Sequence, residues 1–134
     1  MNSDNIEDAT PDSAQPETKS NNVRLVVLLA ILTIVTSAFA YDRFVLLAAG
    51  KTATENIVKA CSDLSADQAT VHKAAGSEPR STEKIGEYVV EHWSYDRLFP
   101  NLKGYKISVV YLNGTVVESY PGGIKDADRE YFLR

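Results

Sequence analysis

The chain has 134 residues, of which 44% are hydrophobic and 24% charged, and its formal net charge is −4 at pH 7. Residues 1–22 contain five acidic side chains and one lysine, so they carry the whole negative excess. The rest of the chain is neutral overall, which argues against a nucleic-acid partner and against strong electrostatic attraction to anionic lipid. Cys61 is the only cysteine, so an internal disulfide is excluded.

Residues 1–22 are rich in Asn, Ser, Asp, Glu, Thr and Pro. A segment of this composition buries too little apolar surface to offset the entropy that ordering would cost. We therefore predict a disordered acidic tail over residues 1–22.

An apolar run follows over residues 23–40, and no charged residue occurs from Leu25 to Tyr41. As a helix, this uncharged stretch is about 26 Å long, within the range that spans a hydrocarbon core of about 30 Å. We predict a transmembrane helix over residues 23–43, acting as a signal-anchor, so that membrane lipid is one partner. The side chains expected to contact lipid are Leu25, Val26, Val27, Leu28, Leu29, Ile31, Leu32, Ile34, Val35, Phe39 and Tyr41.

A cleaved signal peptide is the alternative interpretation of the same run. Ala38-Phe39-Ala40 fits the small-x-small cleavage pattern. The preceding region is long and acidic, whereas signal peptides begin with a short basic region, so the uncleaved anchor is favoured. Basic residues are almost equally frequent before and after the run, so the positive-inside rule does not set the orientation of the helix in the membrane. The orientation is therefore predicted from the short tail before the run and the long domain after it. These features favour a C-terminal domain outside the cytoplasm.

Two helices are predicted after the anchor. Residues 44–64 form a juxtamembrane helix, because apolar residues recur there at spacings of three and four: Ala53, Ile57, Ala60, Cys61 and Leu64. Ser65 begins a second helix, with Gln68 completing a capping box. Gly76 ends that helix as a left-handed cap.

Three strands follow a polar loop over residues 77–84. They cover residues 87–95, 105–112 and 115–120, and Asn113-Gly114 between the last two is a strong hairpin signal. A further short helical turn is predicted over residues 126–133. The predicted fold class is α+β, with residues 65–134 forming a two-layer domain in which two helices pack on a three-stranded antiparallel sheet.

The chain offers no catalytic or metal-binding motif. Glu91 and His92 are strand neighbours that point to opposite faces, and His72 has no carboxylate or cysteine at metal-ligand spacing. Neither a phosphate-binding loop nor a nucleophile elbow occurs. We therefore predict no enzyme activity, no catalytic, metal-binding or cofactor-binding residue, no cofactor and no small-molecule substrate.

Aromatic residues suggest a surface for a partner protein, although Trp93 and Tyr95 also suit a core position under the helices. Trp, Tyr and Arg dominate interface hot spots, and the residues predicted to bind a partner are Trp93, Tyr95, Arg97, Phe99 and Tyr111. An open sheet face or an unpaired edge strand would receive another envelope or membrane protein. The predicted function is therefore protein interaction or scaffolding at a membrane. The alternative is a secreted inhibitor-like or chaperone-like domain released by cleavage near Ala40.

The order of these features resembles the SmpA/OmlA-type domain, found in the small lipoprotein of the outer-membrane barrel-assembly machinery and in related anchored proteins. The matching residues are the helix end at Gly76 with Glu78-Pro79-Arg80, the strand segment Trp93-Ser94-Tyr95, and Asn113-Gly114 between two strands. The resemblance covers residues 65–120 and implies a small, non-catalytic extracytoplasmic interaction domain. The lipoprotein is held by an acylated cysteine where this chain has an apolar segment, so the assembly role is not carried over.

Overall fold

The computed structural model describes residues 17–63 and 65–134, with side chains from residue 21 onward. Residues 1–16 of the predicted disordered tail lie outside the described residues, and so does Leu64. Residues 17–22 are helical, so the prediction of disorder is wrong for that part of the tail. The chain divides into two compact units, residues 1–36 and residues 37–134.

The first helix, α1, covers Glu17–Tyr41. Its large apolar side chains between Leu25 and Val35 are all 51–67% exposed. Thr33 and Thr36 donate their hydroxyls to the carbonyls of Leu29 and Leu32, so these polar groups are satisfied within the helix. By length and composition, this is one helix that could cross a membrane.

The helical path continues through one π-helical turn, Asp42–Leu46, into α2, Leu47–Cys61. Helix α2 is amphipathic, as the spacing predicted, and it buries Ile57 and Cys61 on the face that meets the sheet. The predicted juxtamembrane helix over residues 44–64 is therefore present, but it begins with a π turn and its α-helical part ends at Cys61.

Helix α3 covers Gln68–Ala75 and ends at Gly76, whose φ of 68° confirms the predicted left-handed cap. The predicted capping box at Ser65 is wrong. Asp67 is the N-cap, and its carboxylate accepts hydrogen bonds from the backbone N–H of Thr70 at 2.8 Å and from the Thr70 hydroxyl at 2.7 Å. Both hydrogen bonds lower the pKa of Asp67 below its usual range, and the bond from the Thr70 hydroxyl has the larger effect.

The sheet has four antiparallel strands in the order β1-β2-β3-β4, so the prediction of three strands is wrong. The strands are β1, Ser81–Ile85; β2, Tyr88–Tyr95; β3, Tyr105–Leu112; and β4, Thr115–Pro121. The additional strand, β1, falls largely in the predicted polar loop, and a two-residue turn at Gly86-Glu87 pairs it with β2. Gly86 has a φ of 61°, which suits the first position of such a turn. Asn113 and Gly114 form the predicted hairpin turn, both at positive φ.

Helices cover both faces of the sheet, which corrects the predicted two-layer arrangement. On one face, α2 and α3 enclose a core that includes Ile57, Val71, Trp93, Ile107, Val109 and Tyr111. On the other face, the short helix α4, Asp126–Phe132, places Phe132 against Ile85, Val90 and Val110. The physical reason lies in β3, where residues 107–111 are all buried. Their side chains alternate between the two faces of the sheet, so both faces must be covered by helices.

Candidate functional site

The five residues predicted to bind a partner occupy two different places. Trp93 and Tyr111 are 2% and 0% exposed in the core beneath the helices, and Tyr95 is partly buried against the same core. Arg97 and Phe99 are partly buried in the β2–β3 connection, residues 96–104. Partner binding by these five residues stays a prediction.

Arg97 belongs to a buried ionic contact that joins the β2–β3 connection to the π turn after α1. Its partner, Asp42, is completely buried. The Nε atom of Arg97 donates to Asp42 Oδ2 at 2.9 Å, and Arg97 Nη2 contacts the same oxygen. The backbone N–H of Leu98 donates to Asp42 Oδ1 at 2.6 Å. Both carboxylate oxygens therefore have donors, which compensates the buried charge. We call this contact the junction.

Local backbone geometry brings the two sides of the junction together. The π turn begins at Asp42, whose carbonyl accepts the N–H of Leu47 five residues on. One turn later Gly50 meets β2 so closely that an added Cβ would lie 2.8 Å from Tyr95 Cβ. At the end of the connection, a Cβ on Gly104 would lie 2.0 Å from the carbonyl oxygen of Tyr95. Gly50 thus permits α2 to approach β2, and Gly104 permits the connection to return close to the end of β2.

An aromatic contact extends the junction toward the apolar run. The rings of Phe39 and Phe99 lie with their centroids 6.1 Å apart, tilted by 40°. Phe39 is one of the residues predicted to contact lipid, and it lies three residues before Asp42. The β2–β3 connection is therefore bound by ionic, backbone and aromatic contacts to residues 39–42.

A second polar cluster surrounds His92 on the face covered by α4. The Nε2 atom of His92 lies 2.8 Å from Glu83 Oε1, and its Nδ1 atom lies 2.7 Å from Ser108 Oγ. Arg129 of α4 donates to Glu83 Oε2 at 2.7 Å. The guanidinium of Arg129, together with His92, holds the pKa of Glu83 below its usual range. This cluster joins three strands to α4.

The residue types of this cluster and the order of its contacts match those of a serine nucleophile with its base and acid, but the serine hydroxyl has a second partner. A carboxylate can only accept, so His92 Nε2 carries a hydrogen, and in the neutral imidazole Nδ1 accepts from the Ser108 hydroxyl. Ser108 Oγ also accepts the backbone N–H of Ile124 at 3.1 Å, and the residue is 1% exposed. Its hydroxyl oxygen thus has two partners and little exposed surface.

Sequence patterns placed His92 on the face opposite Glu91, which is correct, but identified neither Glu83 nor Ser108 as a partner of its ring. Ser108 is its cross-strand partner in the β2–β3 register, and Ser81 is its partner in β1. The Ser108 contact could have been found by pairing the two predicted strands in register. The Glu83 contact could not, because its strand was predicted as a loop.

A third cluster lies on the helix-covered face around Glu91, which is 4% exposed. His72 Nε2 lies 2.8 Å from Glu91 Oε2, and Gln68 donates to Glu91 Oε1 at 3.2 Å. His72 also lies 3.1 Å from Glu78, and its ring meets Trp93 edge-on at 5.7 Å. Glu91 and His92 thus lie on opposite faces of the sheet, as predicted, and each has its own set of partners.

A polar cleft of about 400 Å³ opens on the α4 side of the sheet. Its walls include Arg80, Ser81, His92, Ser94, Lys106 and Ser108. Arg80 and Asp96 form an exposed ion pair beside it. Among residues 17–63 and 65–134, no group of three or more His, Cys, Asp or Glu side chains has the arrangement of a metal site.

Comparisons of the chain with protein-family profiles, with curated proteins and with solved structures gave no match. The resemblance to the SmpA/OmlA-type domain stays a prediction from the order of sequence features.

Proposed function

We propose that the chain is a single-pass membrane protein in which the segment Leu25–Tyr41 anchors a small α+β interaction domain on the extracytoplasmic side. The observation that supports this proposal is the apolar surface of α1, whose large side chains from Leu25 to Val35 are exposed. Exposed apolar area costs about 25 cal/mol per Å² in water. Lipid is the solvent in which a helix that is apolar on all sides is stable.

The domain suits a binding role because of its edge strand. Strand β1 lies at one edge of the sheet, and Thr82 and Lys84 are exposed there. At the opposite edge, residues 66–68 already bond to the start of β4: Val116 donates to the Ala66 carbonyl, and Gln68 donates to the Gly114 carbonyl. We therefore assign β1 as the edge that a strand of a partner protein extends.

Alkaline extraction of membranes, followed by the intact mass of the recovered protein, tests the anchor. The proposal expects the chain to stay in the membrane pellet with residues 1–40 attached. Replacing Leu29 and Leu32 together with arginine should release it to the supernatant, because charged side chains are costly at the centre of a membrane. Thr82→Arg is the matched control, since it adds charge outside the apolar segment. A soluble wild-type product that begins near Tyr41 would instead establish the cleaved, secreted alternative.

Site-specific photocross-linking tests the interaction role. A photoreactive amino acid at Thr82 should give one discrete protein adduct in intact cells if β1 receives a partner strand. The same residue at Lys73, exposed on α3, serves as the control. Equal adducts at both positions, or none at Thr82, would contradict the assignment of β1.

A further inference from the structure

We infer that the β2–β3 connection is a second membrane contact, with Leu98 and Phe99 seated among the lipid headgroups beside the end of the anchor. The inference rests on the proposed function, because it requires the apolar segment to be in a membrane. It adds a specific lipid-facing surface on the folded domain, far along the chain from the anchor itself.

Exposed apolar side chains surround this place on two separate segments. On the helical path, Phe39 is 53% exposed, Phe44 77% and Val45 47%, and Tyr41 is also exposed. On the connection, Leu98 is 50% exposed and Phe99 is partly buried. We call these six residues the collar. An apolar surface of this kind on a small domain marks an interaction site rather than ordinary surface composition.

The junction holds the connection beside residues 39–42. Leu98 is bonded through its backbone to Asp42, and the Phe99 ring contacts the Phe39 ring. Because Phe39 belongs to the apolar run, a membrane that holds the run brings the tip of the connection to its surface. The buried Asp42–Arg97 pair keeps the connection there, since opening it would leave two charges without partners.

Continuity with the anchor identifies lipid as the occupant. The collar begins at Phe39 inside the apolar run and resumes after the charged residues Asp42 and Arg43 with Phe44 and Val45. The connection joins it through the junction. Aromatic residues are enriched at the membrane–water interface, where Phe39, Tyr41, Phe44 and Phe99 would lie. Arg43, next to Phe44 in sequence, and Lys103, in the same connection as Phe99, are exposed, and their long stems can reach phosphate groups. The domain carries no basic surplus, so the contact is mainly apolar and zwitterionic lipid should suffice.

Fluorescence quenching in vesicles tests this contact with the full chain. Leu98→Cys is labelled with a small environment-sensitive fluorophore, and the protein is reconstituted into phosphatidylcholine vesicles that contain a lipid with a quencher near the headgroup. Ser77→Cys, exposed on the loop after α3, is the matched control on the same domain. Ile31→Cys, within the apolar segment, reports whether the anchor is inserted, with a deeper quencher. Native Cys61 is buried and gives the labelling background.

The expected result is a blue shift and a loss of emission for the Leu98 probe with the shallow quencher, and neither change for the Ser77 probe. Emission from Leu98 that matches Ser77, while the Ile31 probe is quenched, would overturn the collar and leave the anchor standing. An unquenched Ile31 probe would overturn the anchor itself. Quenching at both Leu98 and Ser77 would show that the whole domain lies on the membrane, which contradicts a contact confined to the collar. Equal unfolding midpoints for the labelled variants establish that each is folded.

Discussion

The junction and the helix-covered face of the sheet each bury a carboxylate, but different forces hold the two regions together. Asp42 receives a guanidinium and a backbone N–H where the π turn meets the β2–β3 connection. Glu91 contacts the ring of His72 and accepts a hydrogen bond from Gln68, next to a core that contains Trp93. The junction thus depends on the pairing of charge, and the sheet face depends on apolar burial. Removing one side chain should therefore damage the two regions for different reasons.

Breaking the ion pair of the junction should have the largest effect. Arg97→Ala leaves Asp42 buried without its guanidinium, and loss of one member of a buried pair costs about 3–5 kcal/mol of unfolding free energy. Urea unfolding of the detergent-solubilised chain, followed by the fluorescence of the single Trp93, measures this loss.

The double variant Asp42→Asn with Arg97→Ala separates pairing from packing. Asparagine removes the buried charge and keeps an oxygen that can accept the Leu98 N–H. The double variant should be more stable than Arg97→Ala alone. If the two variants lose the same stability, the charge of Asp42 is unimportant and the account of the junction is wrong.

A cavity in the apolar core should cost nearly as much. Ile57 is completely buried between α2 and the sheet. Ile57→Ala removes buried methylene groups and should lower the unfolding free energy by about 2–5 kcal/mol. Glu55→Ala, on the exposed side of the same helix, should change it by less than about 0.5 kcal/mol. Similar losses in both variants would indicate that α2 is not part of the core.

The close approach of α2 to β2 can be tested with a single methyl group. Alanine is favoured over glycine in a helix by about 1 kcal/mol, so Gly50→Ala would stabilise an open site. Here the new Cβ would lie 2.8 Å from Tyr95 Cβ, and overpacking of this kind costs about 1–3 kcal/mol.

We therefore expect a net loss of stability in Gly50→Ala. The neighbouring exposed change Ala49→Gly should cost only the helix propensity. A gain in stability in Gly50→Ala would show that the helix and strand stand further apart than described.

The cluster around His92 should give the smallest effect, and that effect should depend on pH. Because the pKa of Glu83 is lowered in the folded state, its contribution is present above the unfolded pKa of about 4.3 and is lost as pH falls through the folded value. The stability difference between wild type and Glu83→Gln should be full near neutral pH and fade on acidification. Glu87→Gln, in the exposed hairpin turn, is the matched control. A difference that stays the same from neutral to strongly acid pH would contradict the pairing.

Sequence patterns predicted the elements whose signals are local. The uncharged run from Leu25 to Tyr41, the amphipathic spacing before Cys61, the cap at Gly76 and the turn at Asn113-Gly114 each report on a few neighbouring residues. All four are present in the structure. Strand β1 was missed because an exposed edge strand has little apolar alternation, and its pairing depends on the turn at Gly86.

The polar contacts could not be predicted because they join distant parts of the chain. Asp42 and Arg97 are 55 residues apart, and their pairing requires both the π turn and the path of the β2–β3 connection. The two covered faces likewise depend on where α4 returns to the sheet. Trp93 and Tyr111 are therefore of residue types that are common at interfaces, but they lie in the core.

The most direct test of the proposed function is to determine on which side of the membrane the domain lies. Labelling with a membrane-impermeant maleimide measures this. Ser77→Cys provides an exposed thiol, while burial raises the pKa of the native Cys61 to about 11 and keeps the wild-type background low. Ser13→Cys, before the apolar segment, is the control for the opposite side. The account predicts that Ser77→Cys is labelled in intact cells and that Ser13→Cys is labelled only after detergent opens them. Labelling of Ser13→Cys alone in intact cells would contradict an extracytoplasmic domain, and labelling of both would contradict a membrane-spanning anchor.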